Sequence, residues 1–368
     1  MLLILAVGLA ELICLVTLKT FKKRFTFFDL NNYMPTKSYI SNVHQRYHPE
    51  RGWDDNYSTK FGERPRTYVY NDPFISAFGD SYTHCAGVKD NETWEEYLSV
   101  LLKKDVYNFG TRSYGTDQAY LKFRSIFPKV RTPIVILGLI TENINRIVNV
   151  YRPFYFAGTA INLSKPRFIL KDRLYLLPNP IRSFDEINNL RNAHFLRIIG
   201  QNDYWFNRDR YPELRFPYTK ILFNKIFWLQ IIYSRGSNKI SDIKPRPYIN
   251  LWEDIEATAL MFKILESFVT SAKDYGAIPL IMILPCQQKV VEKFKHEGSS
   301  LGEKKILDFC RKNNISVFNS IEVLARHANS VDEIDSFFNN HVSAKGNQII
   351  AQHLYNFLND SLLSTNGN

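Results

Sequence analysis

Cysteine is scarce. Four cysteines stand in 368 residues, Cys14, Cys85, Cys286 and Cys310, all far apart in sequence. With no Cys-x-x-Cys pair and no Cys/His cluster, neither a zinc site nor a disulfide framework is indicated, and cysteine usage leaves the redox compartment open. Phosphate loops are missing as well. No Gly-x-Gly-x-x-Gly or P-loop follows an apolar run, so no nucleotide cofactor is expected. The acidic residues form no spaced metal-ligand cluster. They are also outnumbered, 36 Asp and Glu against 47 Lys and Arg, which leaves a formal net charge of +11. No nucleic-acid-binding motif accompanies that charge, so nucleic acid is not the expected partner. At 45% hydrophobic and 23% charged residues the chain is globular, and its length allows one large domain or two ordinary ones.

Long apolar runs are absent but for one, MLLILAVGLAELICLVTL, which only Glu11 interrupts. At ~1.5 Å per residue it can just cross a hydrocarbon core ~30 Å thick. Residues 1–20 are therefore expected to form an N-terminal membrane anchor or signal-like helix, uncleaved, since no small-residue cleavage site follows. Lys19, Lys22, Lys23 and Arg24 come directly after it, and by the positive-inside rule they would keep the remaining chain cytoplasmic. Residues 21–72 are polar, aromatic and irregular, and read as a connector.

Beyond residue 72, short β-branched runs alternate with helical patterns. The runs are FISAFG (74–79), VYNFG (106–110), PIVILGL (133–139), PLIMILP (279–285) and ISVFNS (315–320). The helical patterns cover 93–104, 116–127, 254–276, 303–313 and 344–358. This alternation predicts an α/β fold, a mainly parallel sheet covered on both faces. Residues 73–150 and 251–360 then form two parts of one domain, with 361–368 as a tail. Between the two parts lies an insertion, 151–250. It carries 17 Lys and Arg against 7 Asp and Glu, 19 aromatic residues and 8 of the 16 prolines. Positive charge mixed with aromatic rings suits an anionic or sugar-like partner or a membrane surface. It equally suits a subdomain with its own small core.

The first run ends on FGDSYTHCAGV. Asp80 and Ser81 are good turn residues, and this alone would explain them. A serine at the carboxyl end of the first strand of a parallel sheet also stands where such folds hold their ligands. FGDSYTHCAGVKDNETWEEYL resembles the first block of the SGNH (GDSL-like) hydrolase superfamily, in its membrane-anchored bacterial type. VYNFGTRSYGTDQAYL is similar to its second block, VILGLITENINR to its third and NNHVSAKGNQIIAQHL to its last.

The resemblance implies a three-layer α/β/α fold with a flavodoxin-like five-stranded sheet. It also implies a site: Ser81 as nucleophile, His341 as its base, and an oxyanion hole from the backbone N–H groups of Ser81 and Gly110 with the side-chain amide of Asn143. It places the catalytic domain outside the cytoplasm, against the charge signal after the helix. The chain departs from the pattern in two places. The aspartate usual two or three residues before the histidine is replaced by Phe338 and Asn339, so the orienting group is Asn339, the more distant Asp335, a backbone carbonyl or nothing. The third block offers Gly138 and then Asn143 at altered spacing. Asp80 and His84 are expected to line the pocket, His84 in a structural role. The implied activity is ester hydrolysis through an acyl-enzyme on an acylated small molecule or glycan. The alternatives are transfer of the acyl group to a polysaccharide, or glycan binding without catalysis.

Overall fold

The computed structural model describes residues 2–20, 27–208, 211–234, 250–296 and 298–363. Part of the basic insertion, 235–249, and the end of the tail lie outside them.

Five parallel strands form the centre: β1 (Pro73–Phe78), β2 (Asp105–Asn108), β3 (Ile134–Leu139), β4 (Ile278–Ile283) and β5 (Ser316–Asn319). Their spatial order is β2-β1-β3-β4-β5, the flavodoxin-like order. The middle strands run Val-Ile-Leu-rich without alternation because both faces of the sheet are covered; all six residues of β3 are buried. The apolar helix α1 (Leu2–Thr20), long enough to cross a membrane, precedes the sheet, and the helices that flank the sheet include α2 (Trp94–Leu102), α3 (Thr116–Val130), α4 (Ile255–Asp274), α5 (Leu301–Lys312) and α6 (Ala344–Leu358). α2 packs on α6 and α3 on α4, a helix pair on each side. The fold is thus the three-layer α/β/α arrangement expected. Helix ends shift by up to three residues from the expected ranges, most of all in α3, which continues past Pro128 to Val130. A proline this close to a helix end removes a single backbone bond, and the last turn survives it.

The order reverses between β1 and β3. There the chain leaves β1 to one side and returns to β3 on the other, the point at which open α/β sheets hold their ligands. The loops after β1 and β3, which carry Ser81 and Asn143, meet there through the bond from Asn143 to Asp80.

Residues 27–72 are more than a connector. They pair as a short hairpin, Tyr47–His48 with Gly52–Trp53. Asp54, itself buried, binds Arg51 and Lys122 of α3, each at 2.7 Å. Leu30, Ile40 and Trp53 join Tyr151, Leu163 and Ile187 of the insertion in a second hydrophobic core. Neither segment has enough apolar residues to bury a face alone; together they do.

Candidate active site

The serine loop, 79–88, follows β1 as a helical turn: the His84 N–H donates to the Asp80 carbonyl at 2.8 Å, and the Ala86 N–H to that of Ser81 at 3.0 Å. Asp80 closes the turn from inside, its Oδ1 accepting the Tyr82 N–H at 2.8 Å. The turn lies so close to the ends of β2 and β3 that side chains do not fit there. A Cβ on Gly110 would come within 2.2 Å of His84 N, and one on Gly138 within 2.3 Å of Thr83 Oγ1. Arg64, 7% exposed, clamps the loop from the other side, donating to the carbonyls of His84, Cys85 (2.9 Å) and Val88 (2.6 Å).

His341 arrives from the opposite end of the chain. Ser343 caps α6 by accepting the Gly346 N–H, while its own N–H binds the Phe337 carbonyl at 2.8 Å. This fixes where the helix begins and leaves His341 two residues upstream. A tight hairpin pairs Phe338–Asn339 with His341–Val342 around Asn340, whose φ is +60°. His341 Nε2 lies 3.0 Å from Ser81 Oγ. The Tyr82 ring packs on the imidazole with centroids 4.8 Å apart. Burial holds the His341 ring below its usual pKa, with Arg146 acting the same way and Asp80 opposing. The ring is therefore neutral near pH 7, as an acceptor of the serine proton must be.

The other expected residues divide. Asn143 reaches the site: its Nδ2 donates to Asp80 Oδ2 at 2.8 Å and keeps a second N–H. Asp80 is fully buried, and burial pushes its carboxyl up while Arg146, 3.9 Å away, draws it down. The Ser81 N–H makes no hydrogen bond among the described residues. Gly110 differs from the expectation of a third oxyanion donor. Its N–H is engaged by Asn108 Oδ1 at 2.9 Å, and its place at the site is explained by the close approach of the serine loop. Asp335 is exposed and accepts from Gln287 at 2.8 Å; Asn339 is exposed on the hairpin. Asn339 pairs with His341 through the hairpin backbone, but among the described residues neither the Asp335 nor the Asn339 side chain bonds the imidazole. His84 turns away to Tyr57, 2.7 Å from its Nε2, and burial holds it far down, to about 3, against the pull of Asp55.

Several residues at the site were not singled out from the sequence. Arg146 binds Glu142 at 2.6 Å and the Tyr114 carbonyl at 2.8 Å, and Glu142 accepts from the Tyr155 hydroxyl. Tyr155 and Trp205 belong to the insertion, with ring centroids 5.0 Å apart. The insertion thus touches the residue next to Asn143. Arg64 had a faint signal, a lone Arg-Pro-Arg ahead of a buried strand; the others had none.

No protein-family model matches the chain, and no curated protein matches it. Solved structures do. A protein assigned to the lipolytic G-D-S-L family from Desulfitobacterium hafniense is 12% identical, with 77% of this chain and 99% of that one covered at a TM-score of 0.39. A member of the lipolytic G-D-S-L family from Veillonella parvula is 10% identical over 78% and 97%, at 0.38. The psychrotrophic esterase EstA from a Pseudoalteromonas species, in a form inhibited by monoethylphosphonate, is 11% identical over 81% and 100%, at 0.34. By its own sheet order this chain has a three-layer α/β/α fold of flavodoxin-like order, with the serine loop after β1 and the histidine before the last helix brought to 3.0 Å from each other.

Proposed function

We propose that the protein is a serine-dependent ester hydrolase that works through an acyl-enzyme and is held at a membrane by α1. The observation that carries this reading is the 3.0 Å contact between Ser81 Oγ and His341 Nε2, made across 260 residues of sequence. Ser81 Oγ attacks the ester carbonyl carbon while its proton passes to His341 Nε2. The oxyanion that forms meets the Ser81 N–H and the free N–H of Asn143. The alcohol leaves with the proton from His341, and water then repeats the sequence in reverse on the acyl-serine. An O-acetyl group on a glycan is the substrate class we favour: Tyr155 and Trp205 put aromatic faces beside Glu142, and such faces suit a sugar ring.

Release of p-nitrophenol from p-nitrophenyl acetate, together with fluorophosphonate labelling that maps to Ser81 and is lost in Ser81→Ala, is the expected result. Release that accelerates on adding an oligosaccharide points to acyl transfer, for which the same residues serve. A second reading, glycan binding without catalysis, is favoured by the lack of any carboxylate behind His341 among the described residues. Absence of both labelling and release would overturn the hydrolase, and binding of an oligosaccharide by that same protein would then support this second reading.

A further inference from the structure

The acyl chemistry leaves one part of the molecule unused. Residues 211–234 run against α1. Glu11, the only charge within the apolar run, is 8% exposed, and its carboxylate accepts the N–H groups of Tyr218 and Thr219 and the Thr219 hydroxyl. Further along the helix, Leu18 packs with Ile221 and Phe227, and Cys14 lies against the same cluster. Glu11, Cys14 and Leu18 form one seam of α1. The rest of the helix is bare, with Leu5, Leu9, Leu12, Ile13 and Val16 each more than half exposed.

The segment docked on this seam is bare in the same way. Phe216 is 69% exposed, Phe223 89%, Ile232 63%, Trp228 48% and Leu222 43%. Single exposed apolar residues are ordinary on a soluble surface, but five in one short segment, continuous with a bare apolar helix, are not. Polar groups here are turned inward. Trp228 Nε1 donates to the Leu222 carbonyl at 2.6 Å, and Asn224 Oδ1 accepts the Ile226 N–H at 2.9 Å. A segment in contact with hydrocarbon must satisfy its polar groups internally. Arg215, Lys220 and Lys225 are exposed around it, with stems long enough to lift their charges toward lipid phosphates.

We propose that residues 211–234 are a second membrane-embedded element, entering the same leaflet as the carboxyl-terminal half of α1. Phe216, Leu222, Phe223, Trp228 and Ile232 face lipid acyl chains. Glu11 then has a clear part. A carboxylate inside an anchor helix is costly in lipid, and the backbone donors of Tyr218 and Thr219 are what allow it to stay. The inference rests on the reading that α1 lies in a bilayer.

The test uses the full chain reconstituted in vesicles of phosphatidylcholine and phosphatidylglycerol, with or without bromine on the acyl chains. The protein is expected to float with the vesicles. Brominated lipid is expected to quench the Trp228 emission, taken as the difference between wild type and Trp228→Phe, by more than half. Phe223→Asp, at a side chain the fold does not need, is expected to lower that quenching. Flotation with equal Trp228 emission in both lipids overturns the embedded element and leaves the anchor standing, as does quenching that persists in Trp228→Phe. Failure to float overturns both.

Discussion

His341 can accept a proton from Ser81 only while its Nε2 is unprotonated. Burial lowers its pKa from 6.5, so the ring stays competent into mildly acidic solution. As pH falls through the folded-state value the base is lost, and kcat/KM should fall with it. A pH–rate profile on p-nitrophenyl acetate is expected to show an acid limb below 6.5; a limb above that value would mean that the ring is not desolvated as found. His341→Ala should lower kcat by about 10²–10⁴-fold, the range for losing a general base. Asp80 acts one step removed. It holds Asn143 and the Tyr82 N–H, and both donors are stranded in a buried place when it is removed. Asp80→Ala should therefore cost about 1–3 kcal/mol in denaturant unfolding and also lower kcat, because Asn143, the proposed oxyanion donor, loses its tether. Ser81 and His341 could be read from sequence because each sits in a local pattern, strand-Gly-Asp-Ser and His before a capped helix. Arg146 and Tyr155 could not, since their importance arises only when the insertion folds back onto Glu142.

The secondary elements themselves were legible for a similar reason. The strands lie in short runs dominated by apolar residues, and the helices begin at marked caps: Thr93 before α2, Asp254 before α4, and the Ser300–Glu303 capping box of α5. What the pattern could not convey is how tightly elements approach. VYNFG shows a strand-end glycine, and a glycine there is compatible with an oxyanion donor, a turn or a contact. Only in the folded chain does its missing Cβ face the His84 backbone at 2.2 Å while its N–H is used by Asn108. Gly110→Ala must therefore displace the serine loop. Overpacking of this kind costs about 1–3 kcal/mol. The variant should show a lowered Tm and reduced turnover together, while Gly298→Ala, whose Cβ would meet only an ordinary contact at 3.6 Å, should change neither. Equal behaviour of the two variants would refute the close-approach account.

At the scale of the whole molecule, the described residues of the insertion pack both on residues 27–72 and on the sheet domain. Their shared core was hidden in the sequence because its apolar residues come mainly from separate stretches, Leu30 to Trp53 and Tyr151 to Phe206, and follow no period of 2 or 3.6. The join is also electrostatic. Lys165 of the insertion and Asp117 in the first turn of α3 form an ion pair in which each side chain is 1% exposed. Such a pair gains little over an apolar one, since both ions have lost their water, but removing one member leaves the other charged and buried. Lys165→Met should thus destabilise the protein by about 3–5 kcal/mol. The double variant Lys165→Met, Asp117→Leu should recover most of that loss, because no stranded charge remains. Since the broken contact spans both cores, thermal unfolding of Lys165→Met should remain a single transition at lower Tm. Two separated transitions, with esterase activity following only the upper one, would mean that the insertion is an independent domain resting on the enzyme.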